Sequence, residues 1–381
     1  MYLFRVLFLL FVLTACSSGG NQPVAQIDSS EPSATSTATP ASDPPTATAV
    51  PASTTPDPSP TTMPTITPTP EPTPTPTAVP PTATPQPPTP TPDPYAEYAQ
   101  YTIEGLRARS YGEGTIEVLG LRSETAAFTR ELFAYTSDGL RITGQLTRPR
   151  GQGPFPVVVL NHGYFPLDVY DTGYDTQHAS DYLAARGYLC LAPDFRSHAG
   201  SDDAPNVFRA GHVIDTLNLL PLISQLPDAQ PGPIGMWGHS NGGEITTKAI
   251  LVSDQIAAAL IYAPASPELA DNYYAFHTDD VPGDPGTTAT FPLTPEEAPD
   301  LFARLSPINY LQYVQAPVQT HWGTADVPVP REWVIKLHQG LLDAGKQSEL
   351  FIYEGGTHSL QGAQQDLYLE RTLNFFDQYV R

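Results

Sequence analysis

Short continuous runs of apolar residues mark the second half of this chain, and such runs are typical of strands buried on both faces of a sheet. They occupy residues 156–160, 188–191 and 257–262. Residues 177–186 and 211–220, which lie between these runs, are predicted as helices. This alternation of strands and helices predicts a parallel sheet that helices cover on both faces.

The segment before these runs has a different pattern. Residues 115–121, 127–135 and 140–147 are predicted as strands, and Ser137-Asp138-Gly139 is the turn between the last two. Residues 95–112 are ambiguous, and we expect them to contain a helix docked on the core. The predicted fold class is therefore α/β: a mostly parallel twisted sheet with antiparallel N-terminal strands and helices on both faces.

The strongest chemical signal is Gly238-His239-Ser240-Asn241-Gly242-Gly243, which follows a predicted strand and precedes a run that can continue as helix. In this context the pattern G-x-S-x-G predicts a nucleophile elbow, in which a sharp turn exposes the serine at the top of a sheet. A side chain at position 238 or 242 would crowd this turn. Ser240 is the candidate nucleophile. The alternative is a Gly-rich turn with an inert serine, so the interpretation needs an acid and a base.

Both partners follow Ser240 in the chain. Asp326 lies in the turn after a predicted strand at 318–322, and His358 lies in the loop after a predicted strand at 349–353. Ligands of open α/β sheets bind at the carboxyl ends of the strands, so we expect both side chains at that edge. A serine hydroxyl needs an imidazole to take its proton and a carboxylate to orient the imidazole. The order Ser240, Asp326, His358 matches that of α/β-hydrolases.

An oxyanion hole requires two N–H groups directed at the developing negative charge. Asn241, directly after the nucleophile, is predicted to supply one. Tyr164, in the loop after the strand that ends in Asn161-His162-Gly163-Tyr164, is predicted to supply the other.

Four polar residues near these segments invite a catalytic role, and we interpret them as structural. They are His162, Asp194, Arg196 and His239. Asp194 and Arg196 are expected to form a loop-stabilising ion pair. His239 is expected to pack beside Ser240 without taking protons.

Residues 265–313 are longer than the connection between their flanking strands requires, and residues 294–305 can form a helix. We expect this segment to be a lid insertion that controls access to Ser240. Its aromatic residues either line an acyl or leaving-group pocket or form the core of the lid. They are Tyr273, Tyr274, Phe276 and Phe291.

Six segments in order carry a resemblance to a known family. They read NHGY, PDFRSHAGS, GHSNGG, SPINYLQYVQAPV, HWGTADVPVP and EGGTHSL. Over about residues 130–381 the chain resembles the catalytic domain of the prolyl oligopeptidase family, which includes dipeptidyl aminopeptidase-like and acylaminoacyl peptidase-like hydrolases. The resemblance implies an α/β-hydrolase fold, serine peptidase activity, the triad Ser240, Asp326 and His358, and an oxyanion hole at Tyr164 and Asn241. The chain departs from prolyl oligopeptidases proper because it has no repeat of β-propeller blade length.

The N-terminus predicts an exported, anchored protein. Residues 1–16 have an arginine near the start, an apolar run and then Leu13-Thr14-Ala15-Cys16, which resembles a bacterial lipobox. Cys16 is the predicted lipidation site. Residues 17–94 are almost entirely Thr, Pro, Ser and Ala, which predicts a disordered, semi-rigid tether. Residues 95–381 have a size common for one α/β domain and form the predicted catalytic domain.

The net charge and the cysteine content exclude further partners and kinds of site. The formal net charge of −22 argues against binding nucleic acid. Only two cysteines are present, and Cys190 lies in a predicted strand, so we expect neither a disulfide nor a metal site. Asp279, Asp280 and Asp284 lack the spacing of a calcium loop and are interpreted as a solvated acidic loop. The triad chemistry requires no cofactor.

Three functions remain open. The chain is a serine hydrolase that acts through an acyl-enzyme on peptides, or one with the same triad that acts on carboxylic esters, or a binding lipoprotein that kept the fold without turnover. A peptidase often holds an amino terminus with acidic residues, and Glu244 and Asp168 are the candidates. The partners expected are a small peptide or ester substrate and the membrane, through the lipid.

The lipobox interpretation predicts that Cys16→Ser releases the protein from the membrane fraction, since it removes the only anchor proposed. Cell fractionation followed by immunoblotting measures this. Cys190→Ser is the matched control and should stay in the membrane fraction. Unchanged retention of the Cys16→Ser variant would contradict the interpretation.

Overall fold

A computed structural model of the protein describes residues 93–276 and 290–381. The predicted signal peptide, Cys16, nearly all of the tether and the acidic loop at Asp279, Asp280 and Asp284 lie outside the described residues. The predicted catalytic domain is described apart from residues 277–289, which belong to the expected lid.

One nine-stranded sheet organises the described residues. Its strands are β1 (Ile116–Glu124), β2 (Phe128–Ser137), β3 (Leu140–Pro149), β4 (Phe155–Asn161), β5 (Leu189–Pro193), β6 (Ala229–His239), β7 (Ile256–Tyr262), β8 (Val318–Gly323) and β9 (Ser348–Tyr353). They lie in the order β1-β2-β3-β5-β4-β6-β7-β8-β9. Pairing is antiparallel from β1 through β3 to β5, and parallel from β5 to β9. The predicted mostly parallel sheet with antiparallel N-terminal strands is confirmed.

Within residues 93–276 and 290–381, eight α-helices connect or flank these strands. They are α1 (Ile103–Ala108), α2 (Gln177–Ala184), α3 (Gly211–Leu222), α4 (Asn241–Val252), α5 (Leu269–Phe276), α6 (Pro299–Leu305), α7 (Arg331–Asp343) and α8 (Gly362–Tyr379). Short 3₁₀ segments occur at Ala96–Tyr101, Val207–Arg209, Ile223–Gln225 and Pro307–Tyr313. Within the described part of the chain, no helix combines the length and apolar character needed to cross a membrane.

The sheet separates two hydrophobic cores because successive side chains of a strand point to opposite faces. In β4, Val157 and Val159 pack in the core that α3 and α4 cover. Val158 and Leu160 pack in the opposite core, against α2 and α8. Both faces of the central strands are therefore buried, which explains why their sequences are continuously apolar.

A third, smaller core is formed by residues of the segment expected to be a lid together with Phe208, and we call it the cap core. Its buried residues are Phe208, Leu269, Ala298, Leu301, Phe302 and Leu305. Tyr273 and Phe291 pack against this core, whereas Tyr274 and Phe276 are exposed. The helix predicted at 294–305 begins only at Pro299, because a residue before proline avoids helical geometry, and Ala298 has φ −140° and ψ 56°.

The prediction of an ion pair between Asp194 and Arg196 is wrong. Arg196 instead binds Asp215, with Nη2 2.8 Å from Oδ1 and Nε 3.0 Å from Oδ2. Phe195 has φ 62°, which breaks the extended geometry that would have placed residues 194 and 196 on one side.

Asp194 accepts hydrogen bonds from three hydroxyl groups, those of Thr143, Tyr170 and Thr172, at 2.7–2.8 Å. Burial raises the pKa of Asp194 to about 6, although the three hydroxyl groups oppose the shift.

The two-sided burial of β4 predicts that Leu160→Ala lowers the free energy of unfolding by about 2–5 kcal/mol, because it leaves a cavity at the centre of the sheet. Leu119→Ala is the matched control, since Leu119 is 42% exposed on β1, and its effect should stay within about 0.5 kcal/mol. Urea denaturation monitored by fluorescence measures both. Equal effects of the two substitutions would contradict the described packing.

Candidate active site

The turn between β6 and α4 holds Ser240 in a sparsely populated conformation. Its backbone has φ 54° and ψ −116°, a combination that costs of order 1–3 kcal/mol and must be held by surrounding contacts. The Ser240 N–H donates to the carbonyl of Tyr262 at 2.9 Å, and the Ser240 carbonyl accepts from the Ala265 N–H at 3.1 Å. The strand, sharp turn and helix follow one another as the motif predicts.

The glycines on either side of Ser240 are sterically required. A Cβ atom at Gly238 would overlap the carbonyl oxygen of Gly242 and the hydroxyl of Thr246. A Cβ atom at Gly242 would overlap the carbonyl oxygen of Asn161, the last residue of β4. The elbow therefore touches the backbone of the neighbouring strand directly.

Asp326 and His358 form a hydrogen-bonded pair. Nδ1 of His358 lies 2.9 Å from Oδ2 and 3.1 Å from Oδ1 of Asp326. The Asp326 carboxylate is fully buried and also accepts the Val329 N–H at 3.0 Å. Because a carboxylate accepts the hydrogen bond, Nδ1 carries the proton and Nε2 of His358 is left with a lone pair.

The two loops that carry this pair are joined by backbone hydrogen bonds. The Thr324 N–H donates to the Tyr353 carbonyl at 2.9 Å, and the Ala325 N–H donates to the Gly356 carbonyl at 2.8 Å. In the other direction the Gly355 N–H donates to the Thr324 hydroxyl at 2.7 Å. The distance between acid and base therefore does not depend on their side chains alone.

The His358 loop lies against the elbow. The His358 ring packs on the ring of His239, the residue before Ser240, with centroids 4.7 Å apart. The Leu360 N–H donates to the hydroxyl of Tyr262, whose carbonyl holds the Ser240 N–H. The structure thus brings Ser240, Asp326 and His358 to one edge, at the ends of β6, β8 and β9.

The loop after β4 passes Ser240 on the other side. Asn161 pairs with Gly238 across the parallel β4–β6 ladder. A Cβ atom placed on Gly163 would lie 3.4 Å from Cβ of Ser240. The next amide along this loop belongs to Tyr164, the predicted donor, and Asn241 begins α4. The two predicted oxyanion residues therefore flank the nucleophile.

Asp175 is a residue of this site that the sequence did not reveal. Its carboxylate accepts the Gly163 N–H at 2.7 Å and binds Nδ1 of His239 at 2.9 Å. Asp175 lies 64 positions before His239 in a Gly- and Asp-containing loop, so no short-range motif connects the two. His239 packs beside Ser240 as expected, but it is bound to a carboxylate.

His162 is buried beneath the same loop. Its Nδ1 lies 2.7 Å from the Gly163 carbonyl and its Nε2 lies 3.1 Å from the Asp194 carbonyl. The ring stacks against Tyr170 and Phe195, with centroids 4.3 and 4.5 Å apart. Burial lowers the pKa of His162 to about 4. These contacts agree with the structural role inferred from the sequence.

A buried ion-pair cluster lies under Asn241. Glu244 binds Nε of Arg209 and Nζ of Lys248, both at 2.7 Å, and Nη2 of Arg209 donates to Oδ1 of Asn241 at 2.5 Å. Burial alone would raise the pKa of Glu244, but the charges of Arg209 and Lys248 hold it below its ordinary value. Glu244 is therefore already paired with two cations, and Asp168, the other acid considered for amine binding, is exposed.

Comparison with known proteins places this geometry among hydrolases. The model of the X-Pro dipeptidyl-peptidase (S15) family matches residues 138–289. An uncharacterized peptidase of Bacillus subtilis (strain 168), YuxL, is 25% identical over 273 residues. That match covers 68% of this chain and 40% of the relative, so the chain spans less than half of that protein.

Solved structures share the fold. Acetyl xylan esterase 1 from Thermoanaerobacterium superposes with a TM-score of 0.53 at 17% identity, covering 75% of this chain and 95% of the esterase. The acylaminoacyl peptidase of Pyrococcus horikoshii superposes with a TM-score of 0.55 at 23% identity, covering 67% of this chain and 42% of the peptidase. The chain has the α/β-hydrolase fold, and the family match and relatives identify a serine hydrolase of the peptidase and esterase group.

The cluster under Asn241 predicts that Glu244→Gln lowers the free energy of unfolding by about 3–5 kcal/mol, because it leaves Arg209 and Lys248 buried without their carboxylate. Glu370→Gln, on the exposed face of α8, is the matched control and should change it by less than about 0.5 kcal/mol. Thermal and urea unfolding measure both. An unchanged free energy of unfolding in Glu244→Gln would mean that the cluster is not buried as described.

Proposed function

We propose that this protein is a serine hydrolase that acts through an acyl-enzyme on carboxylic esters. Ser240 is the nucleophile, His358 the general base and Asp326 the acid that orients it. The observation that carries the proposal is the His358–Asp326 pair at 2.9 Å, on a loop that packs against the elbow of Ser240. A partly exposed serine on a strained turn, close to an oriented imidazole, is the arrangement that nucleophilic catalysis requires.

The proposed reaction has two halves. In the first, Oγ of Ser240 attacks the ester carbonyl carbon while Nε2 of His358 takes the hydroxyl proton. The carbonyl oxygen becomes an oxyanion, which the N–H groups of Asn241 and Tyr164 stabilise. Collapse of this intermediate breaks the carbon–oxygen bond, and the alcohol leaves with the proton from His358. In the second half, water attacks the acyl-enzyme with His358 again as the base, which releases the acid and restores Ser240.

Two observations support esters as the main substrates. The chain aligns with nearly the whole of an acetyl xylan esterase but with less than half of an acylaminoacyl peptidase. Glu244, an acid considered for holding a peptide amino terminus, is ion-paired with Arg209 and Lys248. A group that already has two cationic partners is a poor ligand for a third.

Peptide hydrolysis is the second candidate, and one observation favours it. The S15 dipeptidyl-peptidase family model matches residues 138–289, a segment that includes both Tyr164 and the elbow at Ser240. The same triad performs acyl transfer from an amide, provided that His358 protonates the leaving amine.

We also propose that the enzyme works outside the cytoplasmic membrane, held by lipid on Cys16 and spaced from the bilayer by residues 17–94. The residue pattern of 1–16 and the Thr- and Pro-rich composition of the tether support this layout.

The substrate class is tested with a panel of p-nitrophenyl esters and aminoacyl-p-nitroanilides. We expect kcat/KM for short acyl esters to exceed that for every anilide. The proposed oxyanion amides can bind the carbonyl oxygen of either substrate, but Glu244 is ion-paired with Arg209 and Lys248 and does not bind a peptide amino terminus. Faster cleavage of an anilide than of its matched ester would move the assignment to a peptidase. Ligand binding without turnover of either class would favour a binding protein.

The roles within the triad are tested by substitution. Ser240→Ala and His358→Ala should each lower kcat by about six orders of magnitude, and Asp326→Asn by somewhat less, in the ranking measured for serine hydrolase triads. Fluorophosphonate labelling and peptide mapping should place the modified residue at Ser240. His178→Gln, an exposed substitution on α2, is the control and should retain full activity. Wild-type turnover by Ser240→Ala would refute the mechanism.

A further inference from the structure

A second carboxylate–imidazole pair lies beside the site, and no step of the proposed reaction uses it. Nδ1 of His239 is 2.9 Å from Oδ1 and 3.1 Å from Oδ2 of Asp175. Nε2 of the same ring is 3.0 Å from the backbone carbonyl oxygen of His358. The side chains of His239 and Asp175 are only 6% and 11% exposed. This pair is thus as close as the pair of His358 with Asp326; its imidazole is more buried and its carboxylate slightly less buried.

Both ring nitrogens of His239 face groups that accept hydrogen bonds. A neutral imidazole has one N–H and would leave one of these acceptors facing a lone pair, whereas an imidazolium donates to both. Burial alone would lower the pKa of His239, but the negative charge of Asp175 and the hydrogen bonds to Asp175 and His358 raise it above its ordinary value. The pKa of Asp175 is correspondingly lowered, although burial opposes this.

His162 is a second buried histidine in this structure, and its pKa can be compared with that of His239. It too has carbonyl oxygens at both nitrogens, but among the described residues no carboxylate forms a hydrogen bond with its ring. Burial dominates there and lowers its pKa to about 4. The charge of Asp175 also acts on His162, so the direct hydrogen bond to that carboxylate is the feature that distinguishes His239.

The pair connects three loops that must keep a fixed geometry during hydrolysis. Gly163, in the oxyanion loop after β4, donates its N–H to Asp175. Asp175 binds His239 in the elbow, and His239 binds the backbone of His358 in the base loop. We infer that the Asp175–His239 ion pair is a positioning element that holds the oxyanion loop, the nucleophile elbow and the base loop together and places a neutralised cation beside His358. As a role in catalysis, it rests on the proposed function.

The charged groups around His239 determine how each substitution changes the net charge beside the base, His358. The titratable groups that face His239 are Asp175 from the loop after β4, Tyr262 at the end of β7, Asp326 after β8 and His358 after β9. When His239 is charged, it cancels the charge of Asp175. Loss of His239 alone leaves the carboxylate of Asp175 without its countercharge near His358, and a nearby negative charge favours the protonated form of an imidazole. Loss of the charge on Asp175 lets His239 become neutral and leaves the net charge unchanged.

Four variants of the full-length protein, three single and one double, separate these effects. Asp175→Asn can keep every hydrogen bond, since the amide oxygen accepts from Gly163 and the amide N–H donates to Nδ1 of a neutral His239. We expect its kcat to stay within about threefold of wild type, whereas Asp175→Ala, which breaks the link, should lower kcat by more than about tenfold. His239→Gln should lower kcat and move the acidic limb of the kcat/KM profile upward by roughly one pH unit. Asp175→Asn combined with His239→Gln should return that limb to its wild-type position.

A purely structural role predicts a different result, namely lower kcat with the acidic limb unmoved in every variant. That outcome would overturn the inference, as would wild-type kcat in Asp175→Ala. His178→Gln is the control for exchanging an exposed histidine and should match wild type in both parameters.

A readout without turnover separates this inference from the proposed function. In ¹⁵N-histidine-labelled protein at pH 7, NMR should show two ring N–H signals for His239, one of which disappears in Asp175→Asn. The Nδ1–H signal of His358 should shift in Asp175→Ala. If these signals are present and no ester or anilide is hydrolysed, the proposed function fails while the positioning element stands. A single N–H on wild-type His239 would overturn the inference even in an active enzyme.

Discussion

The close approach of the β4 and β6 backbones at their carboxyl ends is the constraint on which the site depends. A side-chain atom at Gly242 would overlap the Asn161 carbonyl, and one at Gly163 would lie in contact with Ser240. The strands are neighbours although β5 intervenes in sequence, so the strand order reverses here, and ligands of open α/β sheets bind at such a reversal. The nucleophile and the proposed oxyanion amides consequently lie together at the carboxyl ends of β4 and β6.

Burial and nearby negative charge determine the pKa values of the buried histidines. His162 and His321 are buried, and in the described part of the chain their ring nitrogens bind carbonyl, amide or hydroxyl oxygens instead of carboxylates. Burial lowers their pKa values to about 4 and about 3. His239 is equally buried, yet contact with Asp175 raises its pKa. The same low-dielectric interior that excludes a lone charge strengthens a paired one. A histidine in this fold therefore cannot be assigned a role from burial alone.

Local patterns predicted much of the fold and of the candidate site. Continuous apolar runs identified β4, β5 and β7 because both faces of these strands are covered, and G-x-S-x-G marked Ser240 because its glycines are required sterically. The pairing of Arg196 could not be predicted, since it depends on the left-handed conformation of Phe195 and on Asp215, which α3 supplies. Asp175 was missed for a related reason: only the folded path of the loop after β4 returns it to His239.

Two consecutive residues, Phe208 and Arg209, connect the cap core to the elbow. Phe208 and Arg209 are consecutive residues with φ 48° and 57°, a conformation that non-glycine residues adopt only where other contacts hold them. Phe208 is fully buried in the cap core, packed on Tyr98 of the N-terminal 3₁₀ segment and on Phe302 of α6. Arg209 turns the other way, into Glu244 and the side chain of Asn241. These opposed anchors account for the strained turn. Through these two consecutive residues, the cap core is connected by direct contacts to the side chain of Asn241, the residue that begins α4.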